Sequence, residues 1–197
     1  MTIPHYHVTT NSFNALYHMT HVDNLLSILE YGLMAHGNSY QVKDISNHKV
    51  NSRRSRCEPI YNKPIHSYVP FYFNPKNAML YACKGIQDDI IILVFDKGLI
   101  EERGVLFTDG NASSGETYFS NDLRWLEYLP DWKILNATRW NGFHDGRRKR
   151  MAEVLVPNVV GRERLKKIVC NSFATFNRLR QICPSGIKIE VDHKFYF

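Results

Sequence analysis

The residue whose type and setting most strongly suggest chemistry is Glu153. This acid interrupts the apolar segment 151–156, whose length fits a strand. A strand glutamate usually alternates onto the solvent-facing side, and a buried carboxylate is rare unless it is paired. The basic residues 147–150 stand directly before this strand, and positive charge beside a cleft would keep the carboxylate ionised. We therefore take Glu153 as a candidate acid that meets a cationic reaction centre.

A second candidate region is a predicted strand-to-helix turn. Residues 15–19 have a strand pattern, and Thr20 and Asp23 have the spacing of a helix capping box. His18 and His21 flank the turn, although a lone histidine is more often structural than catalytic. Backbone amides at the start of a helix are free to bind an anion, so the turn suits a nucleotide.

Three arginines, Arg53, Arg54 and Arg56, lie in the polar segment 37–64, which has no clear period. A connection of this length in a compact domain is usually functional or disordered. A solvated basic loop is one interpretation. The other is a phosphate site, because a guanidinium fork contacts phosphate through two nitrogens.

Aromatic residues surround the next predicted strand, at residues 69–73. They belong first to a core, but one of them could form a stacking wall for a planar heterocycle. The aromatic residues are Tyr68, Phe71, Tyr72, Phe73 and Tyr81.

The remaining pattern predicts short strands and helices joined by long loops, which is typical of an α+β domain. A helix is expected to end at Gly32, and residues 90–95 read as a fully buried strand. The apolar stripe of that helix would be Val22, Leu25, Leu26 and Leu29. Further predictions are a mobile loop at 109–121, a helix at 121–129, strands at 167–170 and 187–191, and a helix near 174–182.

Composition restricts the class of protein. The chain has 197 residues, with 44% apolar, 13% aromatic and 22% charged residues, which excludes disorder and favours one domain with its own core. The net charge of +6 permits an anionic partner. No apolar run reaches the ~20 residues of a membrane span, and the start shows no secretory leader. The cysteines lack zinc-ligand spacing and favour reduced core thiols in a cytoplasmic, metal-free protein; they are Cys57, Cys83, Cys170 and Cys183.

Four segments stand out as an ordered set. They are residues 17–25 (YHMTHVDNL), 52–56 (SRRSR), 68–73 (YVPFYF) with 79–81 (MLY), and 149–156 (KRMAEVLV). Together they resemble the DarT family, the DNA ADP-ribosyltransferase toxins of bacterial toxin–antitoxin systems.

The resemblance implies an α+β ADP-ribosyltransferase fold, a split, twisted, mostly antiparallel β-sheet with flanking helices, as a single domain over residues 1–197. It implies transfer of ADP-ribose from NAD to a base in single-stranded DNA, with release of nicotinamide. The base is thymine in the best-known branch and guanine in another. A macrodomain antitoxin is the implied partner that removes the mark, and neither a metal nor a membrane is involved.

The same resemblance implies roles for individual residues. Glu153 matches the catalytic glutamate and Arg54 the essential arginine. Residues 38–54 match a loop that closes over NAD, and residues 109–153 a segment that recognises the target. The other implied NAD-binding positions are His18, Met19 and Thr20 at the nicotinamide and its ribose, Ser27 and Met34 at the adenosine, and Tyr72, Met79 or Tyr81 stacked on nicotinamide.

The DNA strand would meet a basic rim and an aromatic ring. An unpaired strand is bound through cationic side chains that track phosphates and aromatic side chains that stack on bases. The predicted residues are Arg147, Arg148, Lys149 and Arg150, with Trp140 or Tyr118 as the ring. Two alternatives stay open from the sequence: an ADP-ribosyltransferase acting on RNA or protein, and a nucleic-acid-binding module without catalysis.

Overall fold

The protein is described by a computed structural model over residues 13–46 and 51–197. The predicted lack of a leader and part of the 38–54 loop, residues 47–50, lie outside the described residues. The strands are β1 (Ala15–His21), β2 (Leu33–Met34), β3 (Tyr68–Tyr72), β4 (Ile90–Asp96), β5 (Leu106–Thr108), β6 (Phe119–Ser120), β7 (Glu153–Pro157), β8 (Val159–Val160), β9 (Leu165–Cys170) and β10 (Lys188–Val191). The α-helices are α1 (Leu25–Tyr31), α2 (Ala78–Ala82), α3 (Trp132–Asn136), α4 (Gly146–Lys149) and α5 (Phe173–Ile182).

The main sheet is split between β1 and β3. Its strands follow the order β10-β9-β4-β1-β3-β7-β5-β6, and every pair except β9 with β10 is antiparallel. β1 pairs with β4 along its whole length but meets β3 only at Tyr17 opposite Tyr72. Pro70 of β3 has no N–H to donate across this gap. The split, mostly antiparallel α+β fold expected from the sequence is confirmed.

The two faces of this sheet carry different cores. Residues 90–95 are buried throughout, as predicted, and successive side chains of β4 point to opposite faces. One face packs against α1 through residues such as Leu25 and Leu93, whereas Met19, Tyr72 and Met151 share the other face. The second face also carries Glu153, because Glu153 lies opposite Tyr72 in the sheet register.

The turn between β1 and α1 is built differently from the predicted capping box. The His21 ring caps it, since its Nδ1 accepts a hydrogen bond from the Asp23 N–H at 3.2 Å. The Asp23 carboxylate pairs with Arg178 of α5, and the Thr20 hydroxyl accepts from Asn24 at 2.9 Å. The Thr20–Asp23 box is therefore wrong, because both side chains are engaged by other partners.

The predicted end of α1 is confirmed, and one member of its stripe is wrong. Gly32 ends the helix with φ at 85°, a conformation that glycine adopts without the steric cost of a side chain. A short 3-10 turn, Val22–Asn24, precedes α1 and changes the phase of the apolar stripe. Leu26 consequently faces outward and is 57% exposed.

The second half of the chain follows the prediction at β9, α5 and β10. Residues 121–129 contain only a 3-10 turn at Leu123–Trp125 and not the predicted helix. The segment 109–121, predicted to be a mobile loop, includes β6 and is held by side chains from two other elements. All four cysteines are free thiols, but only Cys170 is buried, so the prediction of core thiols fails for exposed Cys57.

Residues 13–46 and 51–197 contain neither a membrane-spanning helix nor a cluster of metal-ligating side chains. None of the helices in residues 13–46 and 51–197 is long and apolar enough to cross a membrane. The same residues hold no cluster of three or more His, Cys, Asp or Glu side chains that could bind a metal ion.

Candidate active site

Glu153 is the first residue of β7 and lies beside the point from which β1 and β3 diverge. It stands opposite Tyr72, which in turn stands opposite Tyr17 where β1 and β3 separate. The Glu153 side chain is fully buried. The alternative of a solvent-facing strand glutamate is therefore wrong, and the carboxylate requires a partner.

Two donors satisfy the Glu153 carboxylate. Arg54 Nη1 donates to both oxygens, at 3.2 Å to Oε1 and 2.9 Å to Oε2, and the Ala112 backbone N–H donates to Oε1 at 2.9 Å. The nearby positive charge is thus Arg54 and not the basic run before the strand. A cationic partner and a further hydrogen bond are what a buried carboxylate needs to offset its loss of solvent.

Arg54 binds Glu153 through one nitrogen of its guanidinium, Nη1. The residue lies in a 3-10 turn, Arg53–Ser55, and its side chain is 12% exposed. Nη2 is buried and has no hydrogen-bond partner among the described residues. A buried, unsatisfied cationic donor is costly, so this nitrogen is suited to an anionic or polar group of a ligand.

His18 bridges the split in the sheet. Its Nδ1–H donates to the Pro70 carbonyl oxygen at 2.8 Å, because a carbonyl can only accept. Burial lowers the pKa of His18 to about 4; the Pro70 contact opposes this shift and the charge of Arg54 adds to it. The ring is therefore neutral near pH 7, with Nε2 left as an acceptor.

Met19 and Thr20 lie beside His18 and are both buried. Thr20 is tied to Asn24, whose side-chain oxygen accepts from the N–H groups of Val42 and Lys43 at 2.9 and 2.8 Å. The sequence-predicted 38–54 loop is thereby fastened to β1. Asn24 was missed in the sequence, where only its spacing of four from Thr20 could have drawn attention to it.

The remaining predicted NAD-binding residues divide into two groups. Tyr72 donates its hydroxyl to Met79 Sδ at 3.4 Å, and burial together with the Glu153 charge raises the pKa of Tyr72. This pair lies on the Glu153 face of the sheet. Ser27 lies on α1 and donates to the Asn24 carbonyl in the 3-10 turn before that helix. Met34 lies on β2, and both residues are outside the hydrogen-bond network described around Glu153.

Tyr81 belongs to a separate aromatic group. It is 50% exposed and packs edge-on against Phe197 at 5.1 Å and Trp140 at 6.4 Å between ring centroids. Trp140 is half-buried in this group, whereas Tyr118, the other predicted DNA-stacking ring, is 72% exposed. Of the two rings, Tyr118 is the one with a free surface.

The predicted basic rim requires correction. Arg147 is exposed, but Arg150 is 2% exposed, and its Nη1 donates to the backbone oxygens of Ile134, Leu135 and Ala137. These carbonyls end α3, so Arg150 closes a helix and is not available to phosphate.

Arg148 is also turned inward. It forms ion pairs with Asp109 at 2.8 Å and Asp145 at 2.5 Å, and its side chain is 13% exposed. Lys149 contacts Asp131 at 3.3 Å and is partly exposed. The phosphate-tracking role predicted for Arg148 and Arg150 is wrong for this arrangement, because both guanidinium groups are used inside the protein.

Comparison with known proteins places the chain in a family. The family described as "ssDNA thymidine ADP-ribosyltransferase, DarT" matches residues 17–197. A DNA ADP-ribosyl transferase of Thermus sp. (strain 2.9) is 35% identical over 155 residues, which is 72% of this chain and 73% of that protein. A DNA ADP-ribosyl transferase–DNA ADP-ribosyl glycohydrolase fusion protein of Thermosipho africanus is 29% identical over 195 residues, covering 94% of this chain and 50% of the fusion. The chain thus spans half the length of that fusion protein.

Solved structures agree with this placement. Thermus sp. 2.9 DarT in complex with ADP-ribosylated ssDNA has a TM-score of 0.85 at 28% identity, covering 93% of this chain and 96% of that chain. The NAD+ complex of the same protein has a TM-score of 0.79 at 28% identity, with 93% and 98% covered. The sequence motifs, the split sheet with its buried Arg54–Glu153 pair, and the match over residues 17–197 lead to one conclusion: this chain belongs to the DarT family.

Proposed function

We propose that this chain transfers ADP-ribose from NAD+ to a thymine base in single-stranded DNA and releases nicotinamide. The observation that carries the proposal is the buried Arg54–Glu153 pair beside the point where the two halves of the split sheet diverge. Two findings on relatives support the proposal. The family is described as an ssDNA thymidine ADP-ribosyltransferase, and structures of Thermus DarT have been solved in complex with NAD+ and with ADP-ribosylated ssDNA.

Glu153 is proposed as the catalytic residue. NAD+ supplies an activated ADP-ribose whose leaving group is the cationic nicotinamide. A carboxylate held in a dry site can accept a hydrogen bond from a ribose hydroxyl, and this contact strengthens as positive charge develops on the sugar carbon. Ala112 and Arg54 fix the carboxylate in place beforehand, so its reorientation adds little to the barrier.

Arg54 and its neighbours are proposed to hold the NAD+ substrate. The unpartnered Arg54 Nη2 fits a polar or anionic group of the dinucleotide. His18, Met19 and Thr20 line the β1 edge, and the Tyr72–Met79 pair is the stacking surface for nicotinamide. We further assign Ser27 and Met34 to the adenosine end and residues 38–54 to a covering loop, as part of one domain.

The attacking base must lose a proton when it bonds to the ribose carbon. A guanidinium carries no lone pair that accepts a proton near neutral pH, so it does not act as a base there. Arg54 is therefore assigned to electrostatic stabilisation of the deprotonated base, and Glu153 is the group that accepts its proton.

The DNA strand is proposed to approach over the segment 109–153. Tyr118 is exposed on the segment that also carries Ala112, whose N–H donates to Glu153, and we assign it as the ring on which a base stacks. Exposed Arg147 supplies a phosphate contact, and Trp140 is a second stacking position. The fusion relative joins a DNA ADP-ribosyl transferase to a DNA ADP-ribosyl glycohydrolase, which supports a glycohydrolase as the partner that removes the mark. We assign this partner to the macrodomain class and place both activities in the cytoplasm.

The experiment uses mass measurement of acceptors after incubation with NAD+. The acceptors are a thymine-containing single-stranded oligonucleotide, the same oligonucleotide with every thymine replaced by cytosine, a matched RNA, and a protein mixture. We expect an ADP-ribose adduct on the thymine oligonucleotide alone. An adduct on the cytosine control, or adducts only on RNA or protein, would contradict the proposal.

A further inference from the structure

Arg56 directly follows the 3-10 turn that carries Arg54, and it is a second arginine whose side chain turns inward. Its Nη2 donates to two backbone oxygens of the facing segment, Ala112 at 2.9 Å and Ser114 at 2.5 Å. Its guanidinium also lies over the Phe119 ring, with 5.9 Å between the central carbon and the ring centroid. Arg56 therefore fastens residues 112–119 to the turn that bears Arg54.

Ala112 is held from both sides of its peptide backbone. Its oxygen accepts from Arg56, while its N–H donates to Glu153 Oε1 at 2.9 Å. The residue is fully buried, so water cannot replace either partner without a local rearrangement. A shift of the Ala112 carbonyl would carry its N–H away from the carboxylate.

The base of this turn is fixed by a buried carboxylate. Glu58 accepts from the N–H groups of Ile60, Tyr61 and Lys63, and from the Tyr68 hydroxyl at 3.0 Å. Tyr68 belongs to β3, so the chain just after Arg56 is anchored to the main sheet. Arg56 thus reaches the facing segment from a rigid base.

We infer that Arg56 is a positioning residue for ADP-ribose transfer: it holds the Ala112 peptide so that the Ala112 N–H orients the Glu153 carboxylate. Arg54 and Arg56, two residues apart, act on the same carboxylate, Arg54 directly and Arg56 through the Ala112 peptide. The segment that bears Arg54 and the segment that carries Tyr118 are thereby coupled at Glu153. This inference rests on the proposed function.

The test compares Arg56→Ala with the unmodified protein at saturating NAD+ and saturating thymine oligonucleotide. Misplacement of a catalytic group by about 1 Å can cost on the order of a hundredfold, so we expect the transfer rate to fall about 10-fold to 100-fold. The Kd for NAD+ should change by less than about threefold, because Arg54 and the β1 edge remain. Arg180→Ala removes the same charge from the exposed side of α5 and should keep the normal rate.

Two readouts separate positioning from folding. Titration with NAD+ counts the molecules that are competent to bind, and the rate is expressed per competent molecule. Arg56→Lys should recover most of the loss, because one ammonium can donate to two carbonyls as Nη2 does. A normal rate per competent Arg56→Ala molecule, or no recovery with lysine, would overturn the inference. If the unmodified protein modifies none of the DNA, the proposed function fails instead.

Discussion

Two basic segments of the chain, residues 53–56 and residues 147–150, share a pattern and differ in what they hold. In each, the first arginine is exposed and two later ones turn inward: Arg54 and Arg56 in the first segment, Arg148 and Arg150 in the second. The inward arginines of the first segment converge on Glu153. In the second segment, Arg148 forms ion pairs with Asp109 and Asp145, and Arg150 binds the carbonyls that end α3.

The difference lies in the acceptors that each guanidinium meets. Arg150 binds backbone oxygens, and burial lowers its pKa to about 10, so it stays protonated and structural at neutral pH. Arg54 binds a single carboxylate and keeps one nitrogen without a described partner. A charge run therefore does not identify a ligand site; at Arg54 the indication is an unpartnered Nη2 on the same guanidinium that binds Glu153.

The largest effect should follow from changing Arg54. Arg54→Lys keeps the charge but replaces the planar fork of Nη1 and Nη2 by a single ammonium, which cannot occupy both nitrogen positions at once. We expect the transfer rate to fall about a hundredfold or more, measured as adduct formed per minute on a thymine oligonucleotide. Arg180→Lys is the matched exchange on an exposed helix face. A lysine variant with normal activity would show that the second nitrogen is dispensable.

Arg150 should govern stability instead. Arg150→Ala leaves the Ile134, Leu135 and Ala137 carbonyls without their donor, and hydrogen bonds to a charged group are each worth about 1.5–3 kcal/mol. The free energy of unfolding in urea should fall by about 3 kcal/mol or more. Arg147→Ala, three residues earlier and exposed, should change it by less than about 0.5 kcal/mol. Equal losses of unfolding free energy in Arg150→Ala and Arg147→Ala would show that Arg150 has no special structural role.

The pKa of His18 shows which of the two basic segments places a charge near the site, because the Arg54 charge helps to lower it. Its pKa of about 4 lies below the ordinary 6.5, so the unfolded chain binds more protons between these values. Stability from this group is complete above pH 6.5 and is lost as the pH falls toward 4, by up to about 3 kcal/mol. In an NMR titration, Arg54→Ala should raise the His18 pKa and Arg150→Ala should leave it unchanged. A raised His18 pKa in Arg150→Ala with no change in Arg54→Ala would show that Arg150, and not Arg54, lies beside the ring.

The smallest effect is expected at Arg147. Arg147→Ala should weaken binding of single-stranded DNA only a few-fold and lower the slope of log affinity against log salt by about 0.7, the value of one phosphate contact. Arg148 and Arg150 use their guanidinium groups inside the protein, so folded variants at those positions should keep the slope. Fluorescence titrations at several salt concentrations measure it.

Several strands and helix ends could be predicted from the sequence, because the residues within and next to them determine these elements. The unbroken apolar run at 90–95 requires a buried strand, and Gly32 supplies a backbone conformation that other residues avoid. Glu153 stood out because an acid within an apolar strand needs a partner. These conclusions depend on a residue and its sequence neighbours alone.

The rest depends on contacts between distant parts of the chain. The Ala112 N–H is a backbone donor, which any residue except proline provides, so no sequence pattern points to it. The partners of Arg56 and Arg150 are likewise backbone oxygens. Whether an arginine in a basic run turns inward is decided by carbonyls that other segments bring to it, which is why the predicted rim was wrong for Arg148 and Arg150.

The central claim is that the Glu153 carboxylate drives the transfer, and Glu153→Gln tests it most directly. Glutamine keeps the size of the side chain and can still hydrogen-bond Ala112 through its oxygen, but it has no negative charge. NAD+ affinity is measured by calorimetry and transfer by a single turnover on the thymine oligonucleotide. We expect the variant to bind NAD+ and to lose at least about a hundredfold in transfer rate. A variant that binds NAD+ and modifies thymine at the normal rate would contradict the account.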